Sequence, residues 1–301
     1  MPSERQIVAR ATAFIILSSC GFGSLSTLTV LTTRAGLSLV PAMFWRYFIA
    51  AAALLLFLRN KTWQGVERKR AIRLMIVGGF GQAVITYLSL RALDYLPVGP
   101  LAFLFYTYPA WVALISAVFG REELTLIRII ALSIAMGGIV VMVGTPASSS
   151  LSTIGVMLAL GTALLYAFYL PALQHVQHNV PPAVSSFYLI IGVFATFFVA
   201  SIFRGELQLP HSVELWRYLI LLALLSTVIA FAALISGLRV LGPVRTSIIA
   251  TIEPFFTAML GVVLLGQPLS RNTVSGGVLI AGAVILLQFT GRNSVKEKVT
   301  A

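Results

Sequence analysis

Apolar residues run through this chain in long blocks of nearly constant length. Ten blocks can be marked off by short polar breaks: 11–32, 39–58, 74–91, 98–119, 126–144, 153–173, 184–203, 218–238, 244–265 and 273–290. Crossing roughly 30 Å of hydrocarbon takes about 20 helical residues. Each block has about that length. Lipid offers no partner to an open strand edge, and nothing here alternates apolar and polar positions as barrel strands do. The pattern predicts an all-α integral membrane protein with ten transmembrane helices. The first block lacks the short core and small-residue cleavage site of a secretory signal, so it is expected to stay as a span. Arg128 and Arg245 open the fifth and ninth blocks, where long side chains are expected to reach back to the interface. The connections are too short for a separate soluble domain.

A second pattern lies over the first. The stretch "TYPAWVALISAVFGREELT" is matched by "TIEPFFTAMLGVVLLGQPLS" at a constant offset of 145, which aligns Pro109 with Pro254, Ala113 with Ala258, Val118 with Val263, Leu124 with Leu269 and Gly137 with Gly282. This predicts two five-helix halves, residues 1–147 and 148–301, joined near "TPASSSLST". Five is odd, so the second copy enters the membrane in the opposite direction. The fold expected is two inverted five-helix repeats. Such repeats provide a route to alternating access, because two half-structures of like sequence can exchange conformations around a site at mid-membrane.

Composition and charge agree with a membrane setting. Hydrophobic residues make up 58% of the 301 positions and charged ones only 10%, which is too little polar surface for a water-soluble globule. The net charge of +12 would suit nucleic acid, but its distribution points elsewhere. With the N-terminus inside, fifteen Lys and Arg fall on the inner side and six on the outer, namely Arg34, Arg46, Arg91, Arg204, Arg217 and Arg271. The positive-inside rule then puts both termini in the cytoplasm, and the basic cluster at 59–73 reads as a topology anchor. No nucleic-acid partner is expected. The single cysteine, Cys20, lies in the first span, so no intramolecular disulfide forms.

The paired motifs, "YP-x-W…FGREELT…GG" at 108–138 and "EP-x-F…LGQPLS…GG-x(4)-AG" at 253–282, resemble the ten-helix drug/metabolite transporter superfamily in its EamA-type branch. The resemblance covers nearly the whole chain. It implies a multi-pass transporter of the cell membrane, in a bacterium the inner membrane, that exports amino acids, other metabolites or drugs. One branch, similar in length and aromatic content, exports aromatic amino acids. A departure is visible where Glu122 of the first half is answered by Gln267 in the second. Physically, Glu122 and Glu123 precede the fifth helix, where negative charge complements a helix N-terminus.

Polar residues inside the spans mark candidate pathways, because they are expensive in hydrocarbon. Glu253 is the only acidic residue near the centre of a span. It reads either as a brace for the bend at Pro254 or as a proton-coupling or ammonium-binding group. Softer groups recur as Ser18, Ser19 and Ser24; Gln82, Thr86 and Tyr87; Ser226 and Thr227; and Thr246, Ser247 and Thr251. Each alone often bonds a preceding carbonyl or a neighbouring helix. Tyr106, Tyr108, Tyr166 and Tyr169 add hydroxyls near mid-span that need partners. Together these give a substrate-facing set of Ser19, Gln82, Tyr87, Tyr106, Tyr166, Ser226 and Thr251, with Glu253 as the coupling candidate. Pro109 and Pro254 are expected to bend spans four and nine by freeing the carbonyls of Phe105 and Ala250, which makes them paired hinge candidates.

The remaining signals are negative. The glycines of spans three, five and ten read as close-approach positions. His175 and His178 have no nearby cysteine or carboxylate and make a poor metal site. No nucleophile with a base, phosphate loop or metal-ligand cluster is present in the pattern, so neither an enzyme nor a cofactor is expected. The lysines lie in loops or tail and the arginines at span ends, so a multiply charged anionic solute is not expected either. A neutral or zwitterionic, largely apolar solute fits best. The lipid bilayer is the other partner, and no oligomer is required.

Overall fold

The computed structural model of the protein describes residues 4–58, 66–92, 94–96, 101, 104–119, 124–143, 152–266 and 271–289, and among them every regular element is helical. In chain order these are α1 (Glu4–Arg34), α2 (Leu39–Leu58), α3 (Arg68–Ala92), α4 (Tyr108–Val118), α5 (Leu126–Val143), α6 (Thr153–Val176), α7 (Pro182–Arg204), α8 (Val213–Ala250), α9 (Glu253–Leu265) and α10 (Arg271–Phe289). α1, α2, α3, α6, α7 and α8 are long and apolar enough to cross a bilayer. The others are shorter apolar helices. The expected junction of the two halves at 147/148, the Glu122–Glu123 cap and Gln267 lie outside the described residues.

Helix boundaries follow local chemistry. α7 begins with Pro182 in its first turn, where a missing N–H costs nothing, and α8 is capped by Ser212, whose hydroxyl accepts from the Leu215 N–H at 3.2 Å. α8 holds the eighth span and the first arm of the ninth. The chain turns between them at Gly242, with φ 77° and ψ 169°, a conformation open to glycine and strained for other residues. Two π-helical turns interrupt the ladder, Leu74–Phe80 in α3 and Leu224–Ile229 in α8. Both fall in the third helix of their half.

Equivalent helices pack on one another across the bundle. α5 lies against α10, α2 against α7, and α1 against α8 and α9 as α6 lies against α3 and α4. One contact requires bare backbone. A Cβ added at Gly79 would collide with Gly192, and one at Gly192 with the Met75 carbonyl, so α3 and α7 touch main chain to main chain at the first π turn.

The largest difference from the sequence expectation concerns spans four and nine. Each was expected to be one bent helix, and each is instead broken. Residues 104 and 105 are helical, Tyr106 and Thr107 form a turn, and α4 starts afresh at Tyr108. Residues 243–250 are helical, Thr251 and Ile252 form a turn, and α9 starts at Glu253. Pro109 and Pro254 therefore do not sit in helix interiors. Each occupies the first turn of a new helix, where its ring and missing N–H cause no conflict.

Candidate functional site

The two breaks are the same structure built twice. In the first half the Thr107 N–H donates to the Leu104 carbonyl at 3.3 Å, and the Thr107 carbonyl accepts from Ala110 at 3.0 Å and Trp111 at 3.4 Å. In the second, the Ile252 N–H donates to Ile249 at 3.2 Å, and the Ile252 carbonyl accepts from Phe255 at 3.1 Å and Phe256 at 3.4 Å. Every partner is displaced by 145. Thr107 and Ile252 even share backbone angles, φ −72° with ψ −14° and −15°. A hydroxyl adds a second donor to one turn carbonyl at each break, Thr107 donating to Leu104 and Thr251 to Ile248, both at 2.7 Å. Irregular backbone at membrane depth survives only with such internal partners.

Around the breaks the structure gathers aromatic rings and one carboxyl. Tyr108 meets Tyr166 edge to face at 4.8 Å between centroids, and Tyr106 lies 6.3 Å from Tyr108. Phe105 stands 5.5 Å from Tyr106, 5.4 Å from Tyr108 and 5.8 Å from Tyr166. Tyr169 stacks on Tyr166 at 5.7 Å, and its hydroxyl donates to the Gly78 carbonyl of the first π turn at 3.1 Å. Glu253, at the first position of α9, stands with its carboxyl beside the Tyr106 hydroxyl. One break thus supplies the carboxyl and the other a neighbouring hydroxyl. Glu253, Phe105 and Tyr166 are half-buried, whereas Tyr106 and Tyr108 are buried behind them.

The other sequence candidates are placed less favourably for a solute. The Ser19 hydroxyl is buried and donates to the Ile15 carbonyl at 2.9 Å. Thr251 is committed to Ile248, as described. Ser226 is fully buried, with its Oγ 2.7 Å from Ser24 Oγ on α1. The Gln82 amide donates to Thr86 at 3.3 Å on α3. Tyr87 is five residues further on, about 140° round the helix at 3.6 residues per turn, so it cannot share a wall with Gln82. It is 38% exposed. Of the substrate-facing set, the structure brings Tyr106 and Tyr166 together with Glu253, and it ties Ser19, Ser226 and Thr251 into helix contacts.

Sequence reasoning misplaced one important group. Arg46, grouped with the outer charges at the membrane surface, lies about 10 Å along α2 from its start and is 1% exposed. Its Nε donates to Thr227 Oγ1 and its Nη2 to the Ser226 carbonyl, both at 2.6 Å, while Nη1 approaches Met43 Sδ at 3.6 Å. The guanidinium also sits 4.8 Å over the Tyr47 ring. It clamps α2 to the π turn of α8. The signal was available, since an arginine seven residues inside an apolar block is more than an end charge. Arg245, expected to reach the interface, is likewise buried.

The two halves are not packed alike. Residues 243–249 of α8 are buried without exception, whereas in α9 the buried positions among 253–264 are Pro254 and Gly261. α4 packs on α6 and α8, but its counterpart α9 packs chiefly on α1. On the side of the membrane where α1 begins, the breaks are covered by close helix contact. On the opposite side α9 holds to α1 and leaves the other helices of the first half largely uncontacted, and Glu253, Phe105 and Tyr166 retain their exposure.

An inverted-repeat bundle with two broken helices meeting at mid-membrane is an architecture that membrane transporters use. Comparison with known proteins agrees. The model of the EamA-like transporter family matches residues 10–144 and again 153–289, once for each half, and the chain belongs to that family. A protein of Synechocystis sp. described as an uncharacterized transporter is 23% identical over 257 residues, 79% of this chain and 77% of that one. A solved crystal structure superposes with a TM-score of 0.74, covering 94% of this chain and 98% of its own at 18% identity. At that identity the likeness establishes the fold.

Proposed function

We propose that the protein is a secondary transporter of the cell membrane, in a bacterium the inner membrane, that exports small neutral or zwitterionic apolar solutes by alternating access. Aromatic amino acids head that class. The observation that carries the reading is the convergence of Phe105, Tyr106, Tyr108 and Tyr166 with Glu253 where the two broken helices meet. Rings of this kind match an aromatic body, and the carboxyl offers one polar contact.

In this reading Pro109 and Pro254 start the arms that swing, and Glu253 is the group that couples export to protons, faced by Tyr106 and Tyr108 near α4 and Tyr166 on α6. Both termini face the cytoplasm. With the buried Arg46 and Arg245 set aside, fourteen Lys and Arg remain on the inner side against five on the outer, which sharpens the bias.

Counterflow of radiolabelled phenylalanine in proteoliposomes tests the function. Saturable exchange is expected. Exchange of unrelated drugs without amino acids would instead support a broad exporter, and no exchange of any solute would point to a non-transporting membrane subunit.

A further inference from the structure

The reachable surface of the site carries one ionisable group, the Glu253 carboxyl. Beside it stands the buried Tyr106, whose hydroxyl can take one of the roughly four lone-pair directions of the Glu253 carboxyl and leave the rest for a ligand. In front stand Phe105 and Tyr166, half-buried, with ring planes inclined at 52° to one another and Tyr166 nearly perpendicular to Tyr108 at 84°. Inclined rings present faces as well as edges, and a ring face attracts a cation. Among the described residues, Glu253 is the carboxyl that stands near Tyr106, Tyr108 and Tyr166 alike.

A carboxylate on the solute would meet the opposite conditions. It would face a second carboxyl and no cation at Glu253. Of the two buried arginines among the described residues, Arg46 already donates to Thr227 and the Ser226 carbonyl, and Arg245 stands about 9 Å along α8 before Thr251. The two charges of an α-amino acid, by contrast, hang on one carbon.

We infer that this site selects a protonated amine on an aromatic or similarly apolar body, so that an aromatic amine lacking a carboxylate binds better than the corresponding amino acid. The inference rests on the transport reading and moves its solute class, at the same site, from zwitterions to aromatic cations. Glu253 accepts the ammonium hydrogens, Phe105 and Tyr166 flank the cation and the ring it carries, and Tyr106 holds the carboxyl in place from behind.

The test uses the purified full-length protein in detergent at neutral pH. Binding of phenethylamine, 2-phenylethanol, L-phenylalanine and 3-phenylpropionate is measured by isothermal titration calorimetry. Phenethylamine is expected to bind about tenfold more tightly than 2-phenylethanol and L-phenylalanine, the size of one desolvated cation–ring and carboxylate contact, with 3-phenylpropionate weakest. Equal affinities, or the anion ranked above the amine, would overturn the inference with no variant required. Glu253→Gln should then bring phenethylamine and 2-phenylethanol within about twofold of each other, and a preserved tenfold preference would remove the carboxyl from its assigned role. Saturable phenylalanine counterflow without an amine preference would leave the transport reading standing and this inference refuted. Amine-selective binding without counterflow of any solute would do the reverse.

Discussion

A desolvated guanidinium costs several kcal/mol, and at Arg46 the compensation comes from neutral acceptors rather than a carboxylate. The acceptors are suited to it. A π turn leaves a backbone carbonyl without its usual partner, and the planar fork of Arg46 reaches both the Ser226 carbonyl and the adjacent Thr227 hydroxyl. Lysine keeps the charge but not the fork. Glutamine removes the charge and leaves the Ser226 carbonyl short of one donor. Arg46→Gln should therefore cost about 1–3 kcal/mol, the price of one buried unsatisfied group, and Arg46→Lys more. Unfolding in mixed micelles measures both. A lysine variant as stable as wild type would show that charge alone suffices at this position.

The broken helices show why a proline near mid-span is a poor guide to helix geometry by itself. The ring bars an N–H bond wherever it falls, and a bend or a fresh start both accommodate that. Here Thr107 and Ile252 close a single turn before the proline, so the second arm starts anew and the two arms are joined by two residues. A two-residue joint absorbs rotation more cheaply than a continuous ladder, which favours the hinge role proposed for both prolines. Alanine would let each ladder run on. Pro109→Ala and Pro254→Ala should trap opposite-facing states, read as opposite changes in reactivity of single cysteines along α1 towards a membrane-impermeant reagent. Equal small changes in the two variants would leave fixed breaks that only shape the bundle. The π turns differ between the halves in a similar way: α7 grips the one in α3 through bare Gly192, whereas α2 holds the one in α8 through the long side chain of Arg46.

At the scale of the molecule, inverted repeats would be identical if both halves took one conformation, and here they do not. The first arm of span nine is buried on every face while α9 is buried at few positions. Around the breaks, one side of the membrane is closely packed and the other is looser. With the termini in the cytoplasm, as the charge bias proposes, the looser side is external and this conformation faces outward. Single cysteines check the orientation. A cysteine at Ser212, before α8, should react from outside, and one at Lys69, in the basic start of α3, only after permeabilisation. The opposite result would reverse both the topology and the direction in which the site opens.

Sequence alone determined the features that depend on periodicity and solvent. Apolar blocks long enough to cross a bilayer leave helix as the available backbone in lipid, and an odd-numbered repeat at offset 145 forces inversion; both are properties of order along the chain. The convergence of Tyr106, Tyr166 and Glu253 was partly legible for the same reason, since polar groups deep in a span have few places to go. What tertiary structure decided were the choices among physically equivalent partners. Ser226 meets Ser24 and Arg46, and Thr251 turns back to Ile248, each a matter of which neighbour stands within about 3 Å. Hydrogen bonds are short-ranged and directional, so a hydroxyl in a helix carries no sequence mark of the side it will serve. The break before each proline and the unequal exposure of the two halves belong to the same group, because they depend on how ten helices settle against each other.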